Sequence, residues 1–274
     1  MNDGRNGTVK QIICIKWGTK FGPEYVNRLY AGIERNITPP FKLYCFTDDG
    51  SGLHPEIGVR PLPEFSYKAP ERTRGKWPKS RLWGDLGDVT GVVLFLDLDV
   101  IVTGNLDDFF SFGDVEDTVL GTNPNTPFEK LGQTSVYRMK VGNLKPLQDL
   151  FAADPQAAAD EFKYEQRFVT RNAPGGVKFW PKRWIAHFRM HCVPNFPFNY
   201  LREARIPDGT KIVIFPGNLN PPDAIAGRWS EDDTHRAPVD HLRAAFDGRR
   251  REPFLKHVRH YIKPVTWVQK LWRE

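Results

Sequence analysis

The feature that most constrains this sequence is an apolar run at residues 92–102 that is interrupted by two aspartates, Asp97 and Asp99. The run is too short to cross a membrane as a helix, and it is rich in β-branched and large apolar side chains. Such a run is typical of a central strand that is buried on both faces of a sheet. Carboxylates are rarely buried without a partner, so the aspartate pair requires a specific role.

The spacing of the two aspartates predicts a metal site. Side chains alternate between the faces of a strand. If the strand continues through the pair, Asp97 and Asp99 project to one side while Leu98 points back into the core. Two carboxylates on one side form a site for a hard divalent cation, which prefers oxygen ligands. The alternative is a pair of aspartates that cap the turn after the strand.

Length and cysteine content set outer bounds on the fold and the compartment. The chain has 274 residues, enough for one large domain or two modest ones. Its first ten residues are polar, so no secretory signal is expected, and no apolar stretch reaches membrane-spanning length. Cys14, Cys45 and Cys192 lie far apart, which argues against a disulfide framework or a zinc site. We therefore expect a cytoplasmic protein.

The positive charge is concentrated in residues 234–274, which we separate as a basic aromatic tail. From His235 onward the tail holds seven Arg and three Lys against two Asp and two Glu, which accounts for the whole net charge of +6. Its aromatic residues include Phe254, Tyr261, Trp267 and Trp272. This composition suggests an anionic membrane surface or an acidic partner. The alternative is a solvated helical face packed by its aromatics. No nucleic-acid motif accompanies the charge, so no nucleic-acid partner is expected.

The first hundred residues predict a parallel sheet. Apolar patterns indicate strands at residues 9–15, 41–46 and 57–62, and a helix that starts at Pro23 and ends before residues 39–40 lies between the first two. A β-α-β unit of this kind predicts parallel strands with a right-handed crossover. Ser80 is positioned to cap a short helix that leads to the central strand.

The later residues predict further short strands and helices. Strands are expected at residues 119–122, 134–139, 177–179, 185–188 and 211–215, and helices at residues 106–110, from Leu144 to Phe151, and from residue 155 to about 171. Residues 218–233 are rich in Pro and Asp and are expected to be irregular. The predicted fold is therefore α/β, with a mostly parallel central sheet flanked by helices.

Three polar elements follow predicted strands and should meet at one edge of this sheet. Open α/β sheets bind ligands beyond the carboxyl ends of their strands. The glycine-bearing loop at residues 16–22, Asp48, and the pair of Asp97 and Asp99 all fall at such ends. A divalent ion on the aspartate pair would keep open positions that a diphosphate fills. Lys76, Lys79 and Arg81 could complement the phosphates; the alternative, and the more frequent role of such a cation, is a solvated surface residue.

A family resemblance accompanies these patterns. Residues 92–110, which end in the sequence NLDDFF, resemble the hhhhDxD strand and following helix of GT-A nucleotide-sugar glycosyltransferases, most closely those around glycogenin and the lipopolysaccharide glycosyltransferases. Residues 15–26 and the turn at residues 46–49 are similar to a bacterial branch of glycosyltransferases. The resemblance covers most of residues 9–222, so we assign residues 1–233 to one GT-A domain.

The resemblance implies roles for individual residues. It implies that Asp97 and Asp99 bind Mn²⁺ or Mg²⁺ and the donor diphosphate, and that Glu165 and Gln166 lie near the sugar or the acceptor. For this last pair the alternative is an exposed polar helix face. The expected nucleotide-sugar contacts are Lys16, Trp17, Gly18, Thr19, Asp48, Lys79, Arg81, Leu98, Ser135 and Gly217. Asn123 and Thr134 are weaker candidates for contact with the sugar.

The sequence departs from the family at one position. Glycogenin-like enzymes have a late strand that ends in Phe/His-x-Gly, and the histidine there supplies a third metal ligand. This chain has Pro216 at that position, before Gly217, and proline cannot ligate a metal. Water and phosphate can complete the shell of Mg²⁺. Alternatively, His191 or His187 supplies the ligand, and His191 is also a candidate acceptor base; both could instead be structural.

The resemblance implies a metal-dependent glycosyltransferase. It would move a sugar from a nucleoside diphosphate, with UDP expected, to a saccharide or a lipid-linked acceptor, and it would lie in the cytoplasm or peripherally on the inner membrane. One alternative is a non-catalytic binding or scaffold protein with the same fold. Another is a phosphatase of the haloacid dehalogenase type, which also places Asp-x-Asp after an apolar strand, but that motif continues with Gly-Thr on the first strand of the chain.

Overall fold

The computed structural model describes residues 8–65, 67–71, 73, 77–126, 129–246 and 252–274. These residues form two compact units. The first comprises the chain up to Leu98 together with residues 105–182, and the second comprises residues 99–104 and 183–274. The boundary expected after residue 233 separates regions of the sequence by charge and resemblance, and it stays a prediction.

A seven-stranded sheet is the centre of the described part of the first unit. Its strands are β1 (Lys10–Lys16), β2 (Phe41–Thr47), β3 (Gly58–Pro61), β4 (Val92–Leu96), β6 (Val119–Thr122), β7 (Gly132–Lys140) and β8 (Lys178–Phe179), in the order β3-β2-β1-β4-β7-β6-β8. Strand β1 pairs parallel with β2 and β4, and β2 pairs parallel with β3. Strand β7 runs antiparallel to its neighbours β4 and β6. The mostly parallel α/β sheet is confirmed.

Helices and aromatic rings form the rest of the first unit. The helices are α1 (Pro23–Glu34), α2 (Asp107–Ser111), α3 (Lys145–Ala153), α4 (Pro155–Phe162) and α5 (Glu165–Asn172), together with a 3₁₀ helix at Pro78–Trp83. Helix α1 starts with proline, whose missing N–H costs nothing at that position. The core contains stacked rings, among them Trp77 on Phe151 and Trp83 on Phe168.

Two helix predictions in this unit are wrong. Ser80 does not cap the short helix; it lies inside the 3₁₀ helix, and its hydroxyl donates to the carbonyl of Trp77 at 2.7 Å. The helix expected from residue 155 to about 171 is broken in two, because Lys163 adopts a φ of 62° and ends α4. Tyr164 is then extended, and α5 begins at Glu165.

The central strand ends before the aspartate pair. Strand β4 stops at Leu96, and Asp97, Leu98 and Asp99 lie outside it. The premise that the strand continues through the pair is therefore wrong. Exposure nevertheless alternates as predicted, since Leu98 is 4% exposed whereas both aspartates are partly exposed.

The second unit is built around a small sheet. Among its described residues the strands are β5 (Ile101–Val102), β9 (Ile185–His187) and β10 (Ile212–Ile214), in the order β5-β10-β9. A π-helix spans Phe188–Cys192, and a 3₁₀ helix spans Phe198–Tyr200. The α-helices are α6 (Pro221–Ala226), α7 (Pro238–Phe246), α8 (Phe254–Arg259) and α9 (Thr266–Leu271).

Two features of the second unit bear on the sequence predictions. The region expected to be irregular contains α6, at whose start the backbone N–H of Asn220 donates to Oδ2 of Asp223 at 2.9 Å. In the tail, Tyr261 and Trp272 are 4% and 8% exposed, so these aromatics pack inside the unit.

All three cysteines are free and buried. Within the described ranges, no helix is long and apolar enough to cross a membrane.

Candidate active site

Lys79 and Asp97 form an ion pair in the first unit. The 3₁₀ helix carries Lys79, whose Nζ lies 2.8 Å from Oδ1 and 2.9 Å from Oδ2 of Asp97. The two side chains are 12% and 22% exposed. Burial of this degree makes an ion pair stronger than it would be on the surface. The structure therefore brings together two of the predicted site residues, and Lys79 supplies positive charge where the diphosphate was expected.

Strand β7 places two further polar residues beside this pair. The backbone N–H of Asp97 donates to the carbonyl of Ser135 at 2.9 Å, which extends the antiparallel pairing of β4 and β7 by one step. Lys79 Nζ also donates to the carbonyl of Thr134 at 3.0 Å. Ser135 is 8% exposed, and its hydroxyl accepts a hydrogen bond from Gln133. The backbone carbonyls of Thr134 and Ser135 thus contact Lys79 and Asp97 respectively.

Glu165 is buried in this cluster. It is the first residue of α5 and is 5% exposed, and its Oε2 accepts a hydrogen bond of 2.6 Å from the hydroxyl of Thr134. Burial raises the pKa of Glu165 to about 7; Lys79 and Thr134 act in the opposite direction, and Asp97 adds to the rise. Its Oε1 is buried without a hydrogen-bond partner among the described residues. The alternative of an exposed polar helix face is therefore wrong for Glu165.

Gln166 follows Glu165 in α5 and is partly buried. Its backbone carbonyl accepts a hydrogen bond of 2.6 Å from the hydroxyl of Thr170. The structure places Gln166 next to Glu165 along the helix, and this adjacency alone does not test a contact with the sugar or the acceptor. Its predicted role therefore stays a prediction.

The loop after β1 meets Asp48, as predicted. The N–H of Gly18 donates to Oδ2 of Asp48 at 2.9 Å, and Gly18 has a φ of 59°, a conformation that favours glycine. Lys16 is 4% exposed, and its Nζ donates to the carbonyl of Asp49 at 3.0 Å. Trp17 is 37% exposed. Thr19 is also exposed. The parallel register of β1 and β2 places both strand ends at one edge of the sheet.

The other predicted cations behave differently from Lys79. The guanidinium of Arg81 lies 3.7 Å from the ring of Phe65, and its Nη1 donates to the carbonyl of Pro63 at 2.6 Å. In the part of the chain that the structure describes, no hydrogen bond or ion pair joins Arg81 to Asp97. Lys76 lies outside the described residues.

Three further predicted residues, Gly217, His187 and His191, belong to the second unit. Gly217 follows β10 with a φ of 93°, directly after Pro216. His187 is 4% exposed, and burial lowers its pKa to about 4. His191 is exposed as a residue, but partial burial of its imidazole ring lowers its pKa. Its Nδ1 accepts a hydrogen bond of 3.0 Å from the N–H of His187. One nitrogen of His191 is therefore already occupied.

The donor set determines which metal suits the aspartates. Within the described ranges, no group of three or more His, Cys, Asp or Glu side chains is placed to hold a metal ion. Asp97 keeps a partly exposed carboxylate, whose two oxygens offer more lone pairs than Lys79 occupies. Carboxylate oxygens, with water and phosphate in the other positions, suit Mg²⁺ or Mn²⁺, whereas a structural zinc site needs four protein ligands.

Tyr137 is a buried tyrosine beside the candidate site that sequence reasoning did not single out. It lies on β7, stacks on Phe95 with ring centroids 4.7 Å apart, and is 2% exposed. Burial raises the pKa of its hydroxyl, and the negative charges of Glu165 and Asp97 add to the rise. The alternating pattern of a strand marks such a tyrosine as a core residue, so no local signal identifies its proximity to the two carboxylates.

Solved structures provide the comparison with known proteins. The galactosyltransferase LgtC in complex with donor and acceptor sugar analogues matches with a TM-score of 0.55 at 14% identity, over 95% of this chain and all of LgtC. The glycosyltransferase GlyE of Streptococcus pneumoniae TIGR4 matches with a TM-score of 0.57 at 11% identity, over 97% of this chain and 65% of GlyE. The bifunctional glycosyltransferase WbbM matches with a TM-score of 0.53 at 12% identity, over 91% of this chain and 51% of WbbM.

This chain has a glycosyltransferase fold of the GT-A kind. The expected fold is thereby confirmed, and it disfavours the phosphatase alternative. No protein-family model and no curated protein matches the sequence. At these identities the likeness concerns the fold, and the chemistry has to be argued from the side chains.

Proposed function

We propose that the protein is a metal-dependent glycosyltransferase that uses a nucleoside-diphosphate sugar, with UDP as the expected nucleoside diphosphate. The observation that carries the proposal is the cluster in which Lys79 contacts both Asp97 and Thr134, and Thr134 contacts Glu165, in a chain with a glycosyltransferase fold. A buried carboxyl group with a raised pKa, such as Glu165, beside a cation is typical of catalytic sites.

The proposed roles follow from charge. Asp97 and Asp99 would hold Mn²⁺ or Mg²⁺, and the bound ion would neutralise charge that develops on the departing diphosphate. Lys79 is already ion-paired to Asp97 and would share that task. The nucleoside would be contacted by Lys16, Trp17, Gly18, Thr19 and Asp48, because they lie at or just after the ends of β1 and β2, at the edge of the sheet where α/β proteins bind ligands.

Glu165 and Gln166 would act near the sugar or the acceptor. With its pKa raised to about 7 by burial, Glu165 can exchange a proton near neutral pH. Its hydrogen bond from Thr134 fixes the orientation of the carboxyl group, and its Oε1 has no hydrogen-bond partner among the described residues. Leu98, Ser135, Arg81 and Gly217 are the further proposed contacts, and His191 is a candidate additional metal ligand or acceptor base.

The acceptor would be a saccharide or a lipid-linked saccharide, and the basic tail would hold the protein on an anionic membrane surface. Phe246 and Leu255 in this tail are 76% and 61% exposed. Exposed apolar side chains beside basic residues are suited to the interface of a membrane. Tyr261 and Trp272 are buried and would not take part.

The test is a panel of UDP-, GDP-, CMP- and TDP-sugars, each measured with and without Mn²⁺. A donor at a hundredfold excess over its dissociation constant should stabilise the fold by about 2–3 kcal/mol. Asp97→Asn should abolish metal-dependent hydrolysis of that donor while the far-UV circular dichroism spectrum stays unchanged. Absence of stabilisation by every nucleotide sugar would contradict the proposal.

A non-catalytic binding protein with the same fold is the second candidate function. The observation that favours it is Pro216, which cannot supply the third metal ligand seen in the resembling family. This candidate predicts that a nucleotide sugar binds but is not hydrolysed at any metal concentration. Metal-dependent hydrolysis that is lost in Asp97→Asn would exclude it.

A further inference from the structure

Arg189 is a partly buried cation in the second unit. It lies in the π-helix Phe188–Cys192, an irregular helix of a type often found at functional sites. Its guanidinium lies 4.9 Å from the ring of Trp229, and its Nη2 donates a long hydrogen bond of 3.4 Å to the carbonyl of that residue. Its Nε is buried and makes no hydrogen bond to any residue that the structure describes.

The carboxylates that act on Arg189 are engaged with other groups. Asp223 and Glu252 attract the guanidinium through space. Asp223, however, accepts from Arg228 Nε at 2.6 Å and from the N–H of Asn220 at 2.9 Å, one bond on each oxygen. Glu252 pairs with Lys256 at 3.0 Å and with His260 at 2.6 Å. Within the described ranges, Arg189 therefore forms no ion pair of its own. A guanidinium stays charged at all ordinary pH values, so its charge is only partly compensated.

Gly217 leaves space beside this cation. A Cβ atom built on Gly217 would lie 3.6 Å from Nη1 of Arg189, so any side chain there would contact the guanidinium. Gly217 has a φ of 93° and is exposed, and the neighbouring Arg189 is only partly buried. Small ligands approach closely where glycine replaces a side chain.

We propose that Arg189 and Gly217 form an anion subsite that takes a phosphate group. The guanidinium has a planar fork of donors that matches phosphate oxygens, and a phosphate supplies the counter-charge that the described side chains do not. The phosphate group belongs either to a nucleotide donor or to a free phosphate or pyrophosphate ion. The first source rests on the proposed function, whereas the subsite itself does not.

The experiment is calorimetric titration of the full chain with pyrophosphate, with UDP and with a UDP-sugar, without added metal. Arg189→Gln removes the charge and should weaken binding by at least about tenfold, since a hydrogen bond to a charged group contributes that much. The matched control is Arg202→Gln, in the same unit, where the guanidinium lies 5.1 Å from the ring of Phe198. Arg202→Gln should change affinity by less than about twofold, as expected for a surface charge.

A second variant, Gly217→Ala, tests the subsite without changing Arg189. Gly217→Ala places a methyl group in the space beside Nη1 and should weaken pyrophosphate binding while Arg189 stays intact. Thermal melting of each variant shows which variants fold. Arg189→Lys retains the positive charge but lacks the planar fork of guanidinium donors, so it should show an intermediate affinity.

The outcomes separate this inference from the proposed function. Equal affinity of Arg189→Gln and the unchanged chain for all three ligands overturns the subsite, even where a UDP-sugar binds. Failure of the unchanged chain to bind any of the three also overturns it. Pyrophosphate binding that depends on Arg189, in a chain that binds no nucleotide sugar, supports the subsite and contradicts the proposed function.

Discussion

Lys79 and Asp97 lie 2.8 Å apart although 18 positions separate them in the chain. The carboxylate proposed to hold a metal ion is therefore already paired with a cation. A bound Mg²⁺ or Mn²⁺ would share Asp97 with Lys79, and the two positive charges would together face the diphosphate. The pair thus links the stability of the first unit to its proposed chemistry.

Lys79→Met should destabilise the fold by about 1–3 kcal/mol, because it leaves Asp97 partly buried without its partner. The matched control is Lys145→Met, which removes a Lys–Asp pair with Asp149 whose side chains are 53% and 62% exposed. Exposed pairs in helices contribute only about 0.3–0.5 kcal/mol, so the control should change little. Urea unfolding measures both variants. Equal losses in the two would show that the Lys79 pair has no special energetic weight.

Asp97→Asn should lower Mn²⁺ affinity by at least about tenfold, because it removes a charged oxygen ligand. Asp88→Asn is the control, since Asp88 also pairs with a cation, Arg60, but is 64% exposed. Calorimetric titration with MnCl₂ distinguishes the two variants. Retention of full Mn²⁺ affinity in Asp97→Asn would remove Asp97 from the proposed metal site.

Glu165→Gln should flatten the pH dependence of stability on the alkaline side. Burial raises the pKa of Glu165 from 4.5 to about 7, so the folded state holds the proton more tightly than the unfolded chain. The resulting stability is fully present below pH 4.5 and is lost as the pH rises through about 7. The loss amounts to about 3 kcal/mol.

Urea unfolding at half-unit steps from pH 5 to pH 8 measures this effect. The difference in unfolding free energy between the unchanged chain and Glu165→Gln should change across that range, whereas Glu161→Gln, an exposed residue of α4, should run parallel to the unchanged chain. A constant offset for Glu165→Gln would mean that Glu165 does not titrate in this range.

Thr134→Val should raise the pKa of Glu165 further, because the hydroxyl of Thr134 stabilises the charged carboxylate through its 2.6 Å hydrogen bond. Thr134→Ser keeps the hydroxyl and serves as the matched control. At pH 8 the valine variant should be less stable than the serine variant by about 1–2 kcal/mol, and the gap should narrow at pH 5. A gap that is independent of pH would indicate a packing effect alone.

His241→Gln should reduce the acid sensitivity of the second unit. His241 stacks on His257 with ring centroids 4.0 Å apart, and its Nδ1 lies 2.8 Å from the hydroxyl of Tyr200. Burial, followed by His257 and Arg236, lowers its pKa from 6.5 to about 4, while Asp233 opposes the shift. Its neutral ring therefore contributes stability that is present above pH 6.5 and is lost as the pH falls through about 4.

The loss should reach about 2–3 kcal/mol in the unchanged chain. Denaturant unfolding between pH 7.5 and pH 4.5 measures it, with His54→Gln, an exposed histidine of the first unit, as the control. Glu165 acts in the opposite direction over the same range, so the two effects are separated by comparing the variants. The same acid loss in His241→Gln as in the unchanged chain would assign the sensitivity to another group.

Local sequence patterns were sufficient to predict the main strands and helices of the fold. The apolar run of β4, the strands β1 and β2, and the proline that starts α1 are recognisable because strand and helix periods and the proline ring act over a few residues. The positions at which helices begin and end were predicted less accurately. Lys163 ends α4 with a φ of 62°, which no residue pattern indicated, and Asn220 and Asp223 start a short helix inside a Pro- and Asp-rich stretch.

The amino-acid sequence by itself determined an α/β chain with an aspartate pair after a buried strand, since hydrophobic periodicity and the cost of burying carboxylates are read locally. Only the tertiary structure decided that Lys79 reaches Asp97, that Thr134 holds Glu165 in the interior, and that Gly217 leaves room beside Arg189. These contacts join residues 18 to 31 positions apart. They depend on strand order and register, because packing sets the pKa of Glu165 and the partners of each charge.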